Sequence, residues 1–161
     1  MSGDLLSRYL ADPRRRPATT VTEWECLLGQ ARQTALMGRL ARQMADSATL
    51  DSVPDRPKRH LQSALHVVDR QQREVNWEVD CICRALEKVD TPIVLLKGAA
   101  YVIAGLAPAP GRLFSDVDIM VSRDKLPAVE NALLAAGWLS EARDPYTNRY
   151  YREWMHELPP M

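Results

Sequence analysis

The sequence has few cysteines, no long apolar run and no net charge. Its three cysteines, Cys26, Cys81 and Cys83, are too few for a disulfide framework. No uninterrupted apolar stretch approaches the roughly 18 residues that a membrane-spanning helix needs. Three scattered histidines do not make a zinc constellation. Lys+Arg and Asp+Glu both number 21, so nothing global favours nucleic acid or an anionic membrane as the main partner.

The N-terminus does not have the pattern of a secretory signal. The opening "MSGDLLSRYL" contains an early acid and lacks a long apolar core. A length of 161 residues with 46% hydrophobic composition suits one domain, or a small domain with an extension. We therefore expect a globular protein of the reducing cytoplasm with no membrane partner.

The first half of the chain has helical periodicity. A short helix is predicted over residues 5–10, ended by "DPRRRP". Thr22 and Glu25 have capping-box spacing, and the apolar residues after them predict a helix over 22–46. A second amphipathic helix is predicted over 57–89, with Gln72 as the one polar member of its apolar stripe. Its stripe favours packing within the chain, and the alternative is a protein partner or self-association through this long helix.

The pattern changes at Thr91. "TPIVLL" predicts a buried strand, "KGAAYVIAGL" a helix, "DVDIMV" a second strand and "RDKLPAVENALLAAG" a helix ended by Gly137. "WLSEAR" is a candidate third strand, and another is predicted across Tyr150 to Glu157. The order predicts an α+β fold with an α/β-like core. A helical region, 1–89, precedes a small mixed sheet with flanking helices, 90–161.

Two aspartates interrupt the apolar run "FSDVDIMV". Strand alternation places Asp116 and Asp118 on one face, and Val117, Ile119 and Val121 on the opposite, core face. Two carboxylates roughly 6–7 Å apart repel each other unless a cation lies between them. Mg²⁺, or Mn²⁺ in its place, prefers such oxygen ligands. The alternative is an Asp-x-Asp pair that is only solvated.

Lys97 and Gly98 lie where the first predicted strand turns into a helix. Glycine allows close approach of a ligand to the backbone, and a helix N-terminus together with a lysine favours phosphate. Arg112 adds positive charge just before the second strand. An ordinary turn and a surface ion pair are the respective alternatives. Neither a Walker A loop nor a G-x-G-x-x-G fingerprint occurs.

The stretch "PIVLLKGAAYVIAGLAPAPGRLFSDVDIMV" resembles the core of the uncharacterised nucleotidyltransferase family of the DNA polymerase β superfamily. The residues that carry the resemblance are Leu96, Lys97, Gly98, Arg112, Asp116 and Asp118. It implies an NTP substrate with its triphosphate at Lys97–Gly98, and Mg²⁺ (or Mn²⁺) held by Asp116 and Asp118. It also implies that an acceptor attacks the α-phosphorus and releases pyrophosphate.

The resemblance also implies a third carboxylate on a later strand. It is expected just after a segment like the last residues of this chain, and neither Glu141 nor Glu157 sits in the expected pattern. We therefore expect a core that is incomplete at its C-terminus, and full activity only with a carboxylate outside this chain.

The acceptor stays open between RNA, including tRNA, a protein and a small molecule. One alternative function is a non-catalytic, degenerate nucleotidyltransferase-like module that binds a protein partner through its helical half. A lesser alternative is a metal-dependent glycosyltransferase, in which an Asp-x-Asp pair holds a metal and a nucleotide-sugar diphosphate.

Overall fold

The structure, a computed structural model, describes residues 4–12, 18–142 and 144–161. The chain forms two compact units, each assembled from separate stretches of sequence. The first unit comprises Met1–Asn76 and Gly98–Asp116, and the second comprises Trp77–Lys97 and Val117–Met161. The predicted division into regions 1–89 and 90–161 stays a prediction.

Helices dominate the described residues. The α-helices are α1 (Leu5–Ala11), α2 (Val21–Gln33), α3 (Met37–Asp46), α4 (Asp55–Ala85), α5 (Lys97–Ile103), α6 (Leu126–Ala135) and α7 (Pro145–Arg149). Shorter turns are 3₁₀ at Leu50–Ser52 and Arg123–Lys125, and π-helical at Tyr150–Met155. No helix in these ranges is both long and apolar enough to cross a membrane.

Two short strands form the sheet. β1 (Val94–Leu95) pairs with β2 (Ile119–Met120) in antiparallel register, Val94 opposite Met120 and Leu95 opposite Ile119. The predicted α+β class is confirmed, because a mainly helical chain carries a small sheet.

The predicted helix over 22–46 is two helices. α2 ends in a turn where Ala35 adopts a positive φ of 57° and the N–H of Leu36 donates to the carbonyl of Ala31. Such a left-handed residue closes a helix without glycine. Both helices pack their apolar residues into the same core, which explains why the periodicity continues across the break.

The capping box of α2 lies two residues before the predicted one. The Thr20 hydroxyl accepts from the Glu23 N–H at 3.2 Å, and the Glu23 carboxylate accepts from the Thr20 N–H at 3.0 Å. The predicted pair, Thr22 and Glu25, therefore lies inside the helix.

The core of the first unit brings α1, α2, α3 and the start of α4 together. Its buried apolar residues are Leu6, Tyr9, Trp24, Leu27, Leu28, Ala31, Leu40, Ala41, Met44, Val53 and Leu61. The α4 helix buries Leu61, Val68, Val75 and Ile82 at seven-residue spacing, which confirms its predicted amphipathic stripe.

The core of the second unit is smaller. It contains Ile82, Leu86, Val129 and Leu133 from α4, the turn after it and α6. The strand predicted from "TPIVLL" is shorter and less buried than expected, since Val94 is 46% exposed. The α6 helix is followed by Gly137 at φ +104°, consistent with the predicted glycine stop.

The two strands predicted near the C-terminus are wrong for the described residues. Residues 138–142 of "WLSEAR" form no strand, and Arg143 lies outside the described residues. Residues 145–155 are helical because the Asp144 carboxylate accepts from the Thr147 N–H at 2.9 Å and Pro145 occupies the first helical turn.

Candidate functional site

Lys97 and Asp118 form an ion pair within the second unit. The Leu96 N–H donates to the Asp118 carbonyl at 2.9 Å, which continues the β1–β2 pairing by one further bond. This backbone bond holds the two side chains side by side, and the Lys97 ammonium lies 3.0 Å from Oδ2 of Asp118. The lysine side chain is 70% exposed and the aspartate side chain 29% exposed. A cation therefore already faces the second carboxylate of the Asp-x-Asp motif.

The backbone of Lys97 is strained. Its φ is +48°, in the left-handed region that few side chains adopt. Among the described non-glycine residues with positive φ, Ala35, Ala48 and His156 follow helices, and Lys97 instead begins one. A residue held in this region costs about 1–3 kcal/mol, and such strain concentrates at functional sites.

The Asp-x-Asp segment precedes its strand. The predicted strand over "DVDIMV" is too long, because β2 covers Ile119–Met120 alone. The predicted core face is nevertheless confirmed, since Val117, Ile119 and Val121 pack against the core of the second unit. Asp116 belongs to the first unit, is exposed, and accepts a hydrogen bond from the Ser115 hydroxyl at 2.9 Å.

Gly98 and Arg112 meet the same aromatic ring in the first unit. A Cβ at Gly98 would overlap the ring of Phe114, so the tight packing there requires glycine. The Arg112 guanidinium carbon lies 5.5 Å from the Phe114 ring centroid and 5.6 Å from that of Tyr101. Both distances are within cation–π range. Arg112 is therefore held against two rings.

Gln71 makes a contact that the sequence pattern does not predict. Its side chain accepts from the Phe114 N–H at 2.9 Å and donates to the Phe114 carbonyl. Gln72, the predicted polar member of the stripe, is exposed, whereas Gln71 is half-buried. Position 71 is three residues after Val68 and four before Val75, so helical spacing alone allows it on the stripe.

The two carboxylates considered as third metal ligands, Glu141 and Glu157, lie outside helices and strands. Glu141 and Glu157 are both exposed, and the Glu141 N–H donates to the Pro160 carbonyl at 2.7 Å. Within residues 4–12, 18–142 and 144–161, no group of three or more His, Cys, Asp or Glu side chains is placed to hold a metal ion.

Surface grooves occur in the second unit. One of about 650 Å³ is lined by Trp77, Glu78, Cys81, Arg84, Ala85, Ala136, Gly137 and Trp138. Another, of about 520 Å³, is lined by Ala142, Asp144, Pro145, Asn148, Arg149, Arg152 and Glu153. Neither groove is lined by Lys97 or Asp118, so the ion pair of the candidate site lies outside both.

An α+β fold that sets a strained lysine beside an Asp-x-Asp motif is compatible with a nucleotide-handling protein. Residues 20–158 match the family described as uncharacterised nucleotidyltransferase. The match covers most of the chain, and the protein belongs to this family. No curated protein and no solved structure matches the chain.

Proposed function

We propose that the protein is a Mg²⁺-dependent nucleotidyltransferase that transfers a nucleotidyl group from an NTP to an RNA, protein or small-molecule acceptor. Membership of the nucleotidyltransferase family supports the reaction class. The observation that carries the assignment to specific residues is the ion pair between Lys97 and Asp118.

Asp116 and Asp118 are the proposed metal ligands. Their carboxylate oxygens are the donors that Mg²⁺ prefers, and one or two carboxylates plus substrate phosphates are its usual ligand set. The Lys97 ammonium at 3.0 Å from Asp118 indicates that the surroundings of this carboxylate favour a cation. When bound, Mg²⁺ would neutralise the triphosphate and the charge that develops on it.

Lys97 and Arg112 are the proposed phosphate-binding cations. A lysine acts as a mobile point charge toward phosphate, whereas arginine offers a planar fork. Because the Lys97 side chain is 70% exposed, its ion pair with Asp118 is open to solvent, and we propose that the ammonium exchanges Asp118 for a triphosphate oxygen.

The reaction needs positioning more than covalent participation by the protein. An acceptor oxygen forms a bond to the α-phosphorus, the bond between the α-phosphorus and its bridging oxygen breaks, and pyrophosphate leaves with that electron pair. The acceptor's proton, when it has one, passes to solvent. Lys97 and Arg112 would hold the triphosphate in line for attack.

The acceptor class follows from where the label goes. The chain is incubated with Mg²⁺ and NTP labelled at the α- or γ-phosphate, with RNA, protein and small-molecule fractions supplied separately. Because full activity is expected only with a further carboxylate, the proposal predicts slow transfer, in which α-label enters one fraction and γ-label leaves as pyrophosphate. Transfer of γ-label to the acceptor would instead indicate a kinase-type reaction and contradict the proposal.

The control is the Asp118→Asn variant, which removes one carboxylate charge without changing the size of the side chain. It should abolish α-label transfer while the far-ultraviolet circular dichroism stays helical. Nucleotide binding that is unchanged in this variant would argue against the metal role of Asp118.

A further inference from the structure

The segment between α5 and β2 contains Arg112 and leads to Asp116, yet it forms neither helix nor strand. Its shape depends on contacts with helices that lie far earlier in the chain. The contacts of this segment with α3 and α4 that shape it all lie within the first unit.

The α3 helix holds the start of this segment. The Arg39 guanidinium donates to the carbonyls of Ala107 and Pro110 at 3.1 and 3.0 Å. A Cβ at Gly38 would lie 2.5 Å from the Gly111 carbonyl oxygen, so the backbones approach as closely as two glycines allow.

The α4 helix holds the end of the segment. One side chain, Gln71, satisfies both the N–H and the carbonyl of Phe114. A primary amide is suited to this role because its oxygen accepts while its nitrogen donates. Both backbone polar groups of Phe114 are thus bonded to α4.

Fixing the Phe114 backbone also fixes its ring. The ring packs onto Gly98 and forms one of the two aromatic contacts of Arg112. The position of the Arg112 guanidinium therefore depends on Phe114, and the position of Phe114 depends on Gln71.

We propose that Gln71 is a positioning residue for nucleotide binding, acting through Phe114 on Arg112. The helical half of the chain then contributes directly to the site. This inference rests on the proposed function, since it takes Arg112 as a phosphate-binding residue.

The test is a double-mutant cycle measured by calorimetry on the full chain with Mg²⁺ and each of ATP, GTP, CTP and UTP. Gln71→Met keeps the length of the side chain and removes both hydrogen bonds. Gln72→Met makes the same change at the exposed neighbouring glutamine and is the matched control. Gln71→Glu keeps the acceptor for the Phe114 N–H, and it replaces Gln71→Met if the latter does not fold.

Gln71→Met should weaken binding of the preferred nucleotide about tenfold, which is within the range of coupling between residues that share an interaction network. Gln72→Met should leave it unchanged. In an Arg112→Ala background, Gln71→Met should have almost no further effect, because the group that it positions is gone.

Additive losses in the double variant would overturn the inference, since they would mean that Gln71 acts through general stability. Binding by Gln71→Met equal to that of the wild type would overturn it as well, while leaving the proposed function intact. A wild-type chain that binds none of the four nucleotides would overturn the proposed function together with the inference.

Discussion

The Lys97 ammonium lies 3.0 Å from Oδ2 of Asp118, and the lysine that makes this contact has a left-handed backbone. The ion pair is exposed on the lysine side, so it contributes only about 0–1 kcal/mol to stability. A strained residue in a weak ion pair is poorly explained by stability. The proposed function explains both features, because Lys97 would pair with Asp118 until a divalent cation binds the aspartate and a triphosphate binds the lysine.

Lys97→Met should change the binding of metal and of nucleotide in opposite directions. Loss of the competing ammonium should strengthen binding of Mg²⁺ alone a few fold, because an exposed ion pair contributes about 0.2–1 kcal/mol. Binding of the Mg²⁺–NTP complex should weaken about tenfold or more, since a hydrogen bond to a charged group contributes about 1.5–3 kcal/mol. Calorimetry measures both, with the exposed Lys88→Met as control. Changes of the same sign for the two ligands would contradict the exchange.

The strain at Lys97 predicts an unusual order of stabilities. Lys97→Gly should be more stable than Lys97→Ala by about 1–2 kcal/mol, because only glycine adopts positive φ without steric cost. Urea unfolding measures the difference. Arg73, an exposed residue inside α4, is the control, where the alanine variant should be more stable than the glycine variant. The same order at both positions would remove the argument from strain.

Gly98→Ala should destabilise the protein by about 1–3 kcal/mol through overpacking against the Phe114 ring. In a Phe114→Ala background this penalty should disappear, since the obstructing ring is absent. Gly29→Ala is the control, because a Cβ there meets nothing within 4 Å and lies inside α2. It should stabilise the protein by about 0.5–1 kcal/mol. Equal effects at the two glycines in thermal unfolding would contradict the packing described for Phe114.

Glu23 should contribute a pH-dependent part of the stability. Hydrogen bonds from the Thr19 N–H, then the Thr19 hydroxyl and the Thr20 N–H, lower the pKa of its carboxyl from 4.5 to about 2. Because this pKa is lower in the folded state than in the unfolded state, the charged Glu23 stabilises the fold at pH values above the unfolded-state pKa. The contribution is lost as the pH falls through the folded-state pKa. The difference in free energy of unfolding between wild type and Glu23→Gln should therefore be largest and nearly constant well above pH 4.5, and should shrink as the pH falls through about 2. A difference that does not change with pH would mean that the Glu23 charge has no role in the cap.

Periodicity predicted the elements whose signal is local. The α4 helix was predicted within a few residues because its apolar positions recur over many turns. The break between α2 and α3 is not predictable from local pattern, because neither glycine nor proline marks the turn at Ala35. The aromatic residues predicted a strand over 150–157, and this prediction is wrong. The Asp144 cap and Pro145 instead start the helix α7, and the helical backbone continues to Met155.

The candidate site was predictable only in part. The family resemblance implies that Lys97 and Asp118 serve the same nucleotide and its metal, and in the structure the two side chains form an ion pair. Gln71 and Phe114 are 43 residues apart in sequence, and nothing in either local pattern indicates that they meet. Contacts of this kind depend on tertiary packing of α4 and not on any spacing along the chain.

The proposed function depends on the Asp-x-Asp pair holding a divalent metal together with an NTP. Its most direct test is calorimetric titration of the four NTPs with and without Mg²⁺, on the wild type and on Asp116→Asn/Asp118→Asn. The wild type should bind at least one NTP in a Mg²⁺-dependent manner, and the double variant should lose that binding. Equal nucleotide binding by the two proteins, or none by the folded wild type, would contradict it.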